Sequence, residues 1–292
     1  MTYHVLYNPL SGNGQGANRA NELKTKITDG ELLFRDVREI KDIRELLRAF
    51  PQEDALILAG GDGTINRFVN ETCGVSYPQN LYYYPTGSGN DFLRDVKPDL
   101  RGLINLKPYV THLPVVTVKN KSYRYLNGIG YGIDGYCCEV GDELRKQSDK
   151  PINYAGIAIK GLLFHYKPTH ATVAVDGKTY EFDKVWLAPT MNGRFYGGGM
   201  MIAPEQDRLN DGREQTLVVL HGSGKLKTLC VFPSIFKGEH VTHKDIFSVI
   251  KGHEIHVKFD RPVALQIDGE TVLDVTEYSV STNVPAKEFA KI

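Results

Sequence analysis

The run Leu56-Ile57-Leu58-Ala59-Gly60-Gly61-Asp62-Gly63-Thr64-Ile65-Asn66 decides how the first part of this chain is read. An apolar stretch stops at two glycines. An aspartate, a third glycine and a threonine follow, and Ile65, Phe68 and Val69 then open a helical spacing. That order predicts a buried strand turning into a helix whose N-terminus faces an anion. The glycines predict a backbone that approaches the anion closely, in angles closed to other residues. Its N–H groups would point inward as a nest. Asp62 is a carboxylate where anions are favoured, so it requires a cation or a proton as partner. An ordinary glycine-rich turn is the competing reading of this stretch alone.

Two more loops of this kind lie nearby. A strand pattern over 3–7 runs into Asn8-Pro9-Leu10-Ser11-Gly12-Asn13-Gly14-Gln15-Gly16, and Tyr82-Tyr83-Tyr84 runs into Pro85-Thr86-Gly87-Ser88-Gly89-Asn90-Asp91. Strand patterns at 32–37 and 55–59 alternate with helical patterns at 17–27 and 40–50. The alternation predicts a parallel sheet covered by helices, a Rossmann-like α/β domain. Ligands bind at the carboxyl ends of such strands, and three loops there predict a triphosphate-sized site. None carries the lysine of a P-loop, and none is a clean dinucleotide fingerprint.

The pattern changes near Leu113. Short β-branched segments at 115–118, 171–175, 184–188, 217–220 and 254–259 predict a mainly antiparallel β-sandwich. Helical insertions are expected near 153–165 and 226–236. Asp268-Gly269 reads as a hairpin turn between 264–267 and 271–273.

Thirty-five basic and thirty-five acidic residues cancel, which argues against nucleic acid as a partner. Cys73, the adjacent Cys137 and Cys138, and Cys230 show no metal spacing and read as free thiols in a reducing compartment. No apolar run approaches the ~20 residues of a membrane span. The chain enters a strand pattern with no signal-peptide pattern, so a cytoplasmic protein is expected.

The motifs now carry a family resemblance. Gly60-Gly61-Asp62-Gly63-Thr64 with Asn66, then Pro85 to Phe92, resembles the catalytic domain of diacylglycerol kinases and sphingosine kinases. Asn127-Gly128-Ile129-Gly130-Tyr131-Gly132-Ile133-Asp134, Gly197-Gly198-Gly199-Met200-Met201-Ile202-Ala203-Pro204 and Gln266-Ile267-Asp268-Gly269-Glu270 are similar to its downstream signatures, in family order. The likeness is nearest to the soluble bacterial lipid kinases.

The resemblance implies a magnesium- and ATP-dependent transferase of phospholipid biosynthesis that phosphorylates a lipid hydroxyl, most simply that of diacylglycerol. Residues 1–113 would form the nucleotide domain, with 277–292 returning to it, and 114–276 the lipid domain. ATP would lie against Asn8, Ser11, Gly12, Gly60, Gly61, Asp62, Gly63, Thr64, Asn66, Gly87, Ser88, Gly89 and Asn90. Glu270 would be the base, with Asp62 its rival or the organiser of Mg2+. Asp211 matches a structural magnesium position. Arg208 stands where a small hydroxyl ligand is expected, Gln215 lacks the acid expected there, and Arg67 replaces a usual glutamate. A catalytically weak binding protein and a kinase of a soluble substrate, such as a nicotinamide nucleotide, are the alternatives. The acyl chain would use apolar residues of 157–164 and 229–236, unless these are plain core. A lipid kinase of this composition would meet its membrane peripherally and transiently, through Lys225, Lys227, Lys237, His240, His243, Lys244 and Lys251 around 229–236. A homodimer stays open as its assembly.

Overall fold

The structure is a computed structural model that describes residues 1–78, 80–87, 90–97, 99–147 and 152–283. The chain divides after Leu113 into two compact units.

The first unit holds β1 (Thr2–Tyr7), β2 (Glu31–Asp36), β3 (Ala55–Gly60), β4 (Asn80–Pro85) and the short β5 (Ile104–Asn105) in the order β2-β1-β3-β4-β5. The first four strands are parallel, and β5 runs antiparallel to β4. β3 is buried at every position, which is why it reads as an unbroken apolar run instead of an alternation. Tyr7 pairs with Ala59 and Gly60 with Pro85, so β1, β3 and β4 end on one level. The chain winds away from β1 in both directions, and the reversal falls between β1 and β3, where open α/β sheets bind ligands. Tyr3, Val5, Ala20, Leu23, Ile57 and Tyr84 share one core beneath. The helix expected at 17–27 is interrupted at Glu22. The one expected at 40–50 contracts to Ile43–Arg48, where the Asp42 carboxylate accepts from the N–H groups of Arg44 and Glu45.

The second unit is an antiparallel sheet of β6 (Val115–Val118), β7 (Lys121–Arg124), β8 (Gly128–Tyr131), β9 (Thr169–Val175), β10 (Lys178–Val185), β11 (Thr190–Met191), β12 (Gln215–Leu220), β13 (Phe247–Gly252), β14 (Glu254–Ile267) and β15 (Glu270–Ser281). Its order is β13-β12-β11-β8-β14-β15-β6-β7, with β9 joining β14 to β10. β14 is much longer than the expected 254–259. Irregularities after Lys258 divide it, so that its first part pairs with β9 and its last residues pair with β8. Helices Tyr154–Lys160 and Lys225–Val231 lie at the expected insertions, but the fifteen-residue helix Ile133–Gln147 was not anticipated. The expected return of 277–292 is corrected at its start: residues 277–281 stay in β15, held by the ladder to β14. Residues 284–292 lie outside the described residues. Among the described residues, no helix is long and apolar enough to cross a membrane.

Candidate active site

The three loops of the first unit are stitched together. The Gly60 carbonyl accepts from the N–H of Thr86 (2.8 Å), the N–H of Gly87 (3.0 Å) and the Tyr83 hydroxyl (3.0 Å). Burial and the nearby Asp62 carboxylate push the Tyr83 phenol up, so it stays protonated as a donor. Ser11 Oγ and Thr86 Oγ1 share a hydrogen bond of 2.7 Å. Arg19 Nη1 donates to Thr86 O at 3.0 Å, which brings in the first loop. Within that loop the Asn8 side chain accepts from Leu10 N (3.0 Å) and Ser11 Oγ donates to Asn8 O (2.8 Å). Asn90 Nδ2 donates to Gly87 O at 3.1 Å. Arg19, Tyr83 and Thr86 are the members that sequence reasoning passed over. Only the Thr in Pro85-Thr86-Gly87 carried a signal.

Asp62 opens the helix Asp62–Glu71. Its Oδ2 accepts from the N–H of Asp91 (2.8 Å) and of Phe92 (3.2 Å), which caps the helical turn Asp91–Asp95. The carboxylate thus joins the loop after β3 to the loop after β4. Asn66 is buried inside the helix, where its Oδ1 accepts from Asn70 Nδ2 at 3.3 Å. Arg67 pairs with Glu71 on the exposed face at 3.1 Å. Ser88 and Gly89 lie outside the described residues.

The expected left-handed angles are absent from Gly60, Gly61 and Gly63, and Gly61 has φ −108°. Space is what demands glycine. A Cβ on Gly60 would lie 2.2 Å from Thr64 Oγ1, and one on Gly87 would lie 2.7 Å from Gly61 Cα. A Cβ on Gly61 would make an ordinary contact at 3.5 Å, and one on Gly63 would meet nothing within 4 Å. The positive angles occur instead in the first loop, at Gly12 (57°), Asn13 (58°) and Gly14 (81°).

In the second unit, Asp268 (φ 48°) and Gly269 (φ 96°) form the two-residue turn between β14 and β15. The Asp268 carboxylate accepts from the N–H groups of Leu126, Asn127 (2.8 Å) and Gly128 (3.0 Å). Gly269 N donates to Gln266 Oε1 at 2.6 Å. Glu270 starts β15 with its side chain exposed, and Thr271 Oγ1 beside it donates to Asp142 Oδ2 at 2.6 Å. Asp142 lies in the helix Ile133–Gln147, and Asp134 in its first turn receives a hydrogen bond from the Tyr196 hydroxyl. Burial pushes the Asp134 carboxyl up to about 7. It also pushes the Cys138 thiol up to about 12. All four thiols are free.

Arg208 donates to Leu126 O and to Asn127 Oδ1. Gln215 is buried, accepting from the Tyr125 hydroxyl at 3.0 Å and donating to Arg213 O at 3.2 Å. Asp211 is exposed in a turn. Among the described residues, no three His, Cys, Asp or Glu side chains are grouped to hold a metal ion. Arg208, which stands where a small hydroxyl ligand was expected, is committed to Leu126 O and Asn127 Oδ1, and a guanidinium cannot ligate magnesium. The stitched loops of the first unit bring Ser11, Gly60, Thr86 and Gly87 together at the ends of their strands.

The family described as diacylglycerol kinase catalytic domain matches residues 2–111, and the YegS C-terminal NAD kinase beta sandwich-like domain matches residues 127–285. The chain is 28% identical over 274 residues to a diacylglycerol kinase of Mycobacterium tuberculosis (strain CDC 1551 / Oshkosh), covering 87% of this chain and 84% of that protein. It is 26% identical over 251 residues to the putative lipid kinase YtlR of Bacillus subtilis (strain 168), covering 78% and 77%. The crystal structure of a diacylglycerol kinase from Bacillus anthracis str. Sterne shares the fold, with TM-score 0.65 and 21% identity over 96% of this chain and 93% of that one.

Proposed function

This chain belongs to the lipid-kinase family that joins a diacylglycerol kinase catalytic domain to a YegS-type C-terminal domain, and on that premise we propose that it transfers the γ-phosphoryl group of ATP to the hydroxyl of diacylglycerol or a close relative. One observation carries the reading. The loops after β1, β3 and β4 are hydrogen-bonded to one another through the Gly60 carbonyl and Thr86. Phosphoryl transfer needs positioning and electrostatics more than covalent help from the protein. Loops that hold one another in place would supply the first.

In this reading Asn8, Ser11, Gly12, Gly60 to Thr64, Asn66 and Gly87 to Asn90 bind the nucleotide. Magnesium, when present, offsets charge on the phosphates, with Asp62 the carboxylate of the loop that would face it. Glu270 takes the proton from the lipid hydroxyl. Asp268 sets where Glu270 stands, because its carboxylate pins the turn to the N–H groups at 126–128. The names of the M. tuberculosis and B. subtilis relatives support a lipid acceptor. The protein would work at the cytoplasmic surface of a membrane without spanning it.

The test is transfer of label from ATP to a total lipid extract, with mass spectrometry of the product. Phosphatidic acid is the expected product. Label found only in a water-soluble acceptor would overturn the reading.

A further inference from the structure

The helix Tyr154–Lys160 runs directly into a π-helical turn, Gly161–His165. Such turns are rare and recur at functional places. One side of this one is fixed: Leu162 is fully buried, and a Cβ on Gly161 would lie 2.7 Å from the Tyr136 ring. The other side looks outward, and Phe164 is 73% exposed. Lys225 Nζ donates to Leu163 O at 2.9 Å, which ties the start of the Lys225–Val231 helix to the same turn. Leu226, next to Lys225, is 74% exposed, and Ile159 is 45% exposed. Single exposed apolar residues are ordinary. Here a phenylalanine, a leucine and an isoleucine stand exposed on elements tied to one another.

The charge carried by these two segments is one-sided. Residues 152–168 and 222–238 contain Lys160, Lys167, Lys225, Lys227 and Lys237 and no aspartate or glutamate, in a chain whose charges cancel overall. Lys227 is paired with Asp245. Lys160 and Lys225 have no carboxylate partner among the described residues. The basic cluster read from the sequence further along is weaker than it seemed: His240 is buried, and Lys251 donates to Glu205 O.

We infer that the face formed by Ile159, Phe164 and Leu226, rimmed by Lys160 and Lys225, docks this protein on an anionic lipid bilayer. The inference rests on the lipid-kinase reading and names the surface that brings the enzyme to its substrate. Apolar side chains enter the acyl boundary while long lysine stems let their ammonium groups stay among anionic headgroups. A second copy of the chain is the poorer occupant, because a two-fold contact would set the same lysines against themselves.

The test is co-sedimentation of the full chain, without nucleotide, with vesicles of phosphatidylcholine alone or of equal parts phosphatidylcholine and phosphatidylglycerol, at low and high salt. Binding is expected to the anionic vesicles and to weaken at high salt. Phe164→Ser with Leu226→Ser should weaken it about tenfold or more. Lys160→Glu with Lys225→Glu should remove the preference for phosphatidylglycerol. Both double variants should keep wild-type ATP affinity, and the apolar variant should also keep wild-type melting temperature. Equal binding to both vesicles, no binding, or binding unchanged by either pair of substitutions overturns the inference. So does loss of self-association, in place of loss of vesicle binding, in the apolar variant. Transfer to a short-chain diacylglycerol in detergent reads the kinase activity separately. Activity there without vesicle binding sinks the docking face alone, and vesicle binding without activity sinks the kinase reading alone.

Discussion

The Asp62 carboxylate accepts the backbone N–H of Asp91 at 2.8 Å, so one side chain at the end of β3 closes the helical turn that follows β4. A residue singled out for its chemistry is also a structural tie. The two roles separate by substitution. Asp62→Asn keeps an oxygen acceptor for the N–H groups of Asp91 and Phe92, whereas Asp62→Ala keeps none. Asp62→Ala should cost about 1–2 kcal/mol of stability more than Asp62→Asn, by urea titration. Both should lose turnover if the negative charge serves catalysis. Normal turnover in a folded Asp62→Asn protein would restrict Asp62 to its tie.

The glycine loops of the first unit give a prediction that reverses the usual expectation for glycines. Gly87→Ala places a Cβ 2.7 Å from Gly61 Cα and should prevent the loops from docking, with loss of ATP binding in calorimetry. Gly63→Ala meets nothing within 4 Å and sits inside a helix, so it should stabilise the protein by about 0.5–1 kcal/mol. A stabilised Gly63→Ala protein with weakened ATP affinity would locate the phosphates there. Unchanged affinity would exclude the position from the nucleotide contact.

Glu270→Gln should lower turnover about a hundredfold or more and leave ATP affinity near wild type, because only the proton acceptor is removed. Asp268→Asn should behave differently. It leaves three backbone N–H groups with a neutral acceptor in place of a carboxylate, and should cost about 1–3 kcal/mol of stability along with turnover. A silent Glu270→Gln would transfer the base role to Asp62.

Asp134 makes stability depend on pH. Its folded carboxyl titrates at about 7 against an ordinary 3.8, because burial disfavours the charge. Below the lower value both states are protonated. Between the two, the unfolded chain gives up the proton while the folded protein keeps it, so stability falls as pH rises and then levels off above the folded value. Asp134→Asn removes this slope and can still accept from Tyr196. The stability gained by the variant should grow from pH 4 to pH 7, by an amount on the order of 4 kcal/mol at most. A difference in stability that does not change with pH would show that the folded carboxyl titrates normally.

The legible part of the molecule was what one segment declares by itself. β3 announced itself because both its faces are covered, so Leu56 to Ala59 had no reason to alternate with polar residues. The Asp268-Gly269 turn was readable from its dipeptide. The Ile133–Gln147 helix was not, because its buried residues are Ile133, Asp134, Gly135 and Gly141, and a face built of glycine and aspartate gives no apolar period. Two other features depend on residues far apart in the chain. Arg208 reaches Leu126 across 82 positions, and Asp268 reaches Asn127 across 141. No local pattern encodes such partners. The glycines after β3 stand out in the sequence without showing why they are there, because crowding and left-handed backbone both select the same residue.

A turn of two residues leaves no slack. One residue inserted between Ile267 and Glu270 and drawn into the ladder would reverse the faces of β15 as far as its next irregularity. Thr271 would then turn away from Asp142, and Glu270 would exchange sides. Lengthening a loop is the ordinary way for a scaffold to drift toward a new acceptor. At this corner such a shift would undo the contacts of Thr271 with Asp142, whereas exchanging side chains leaves the backbone as it is.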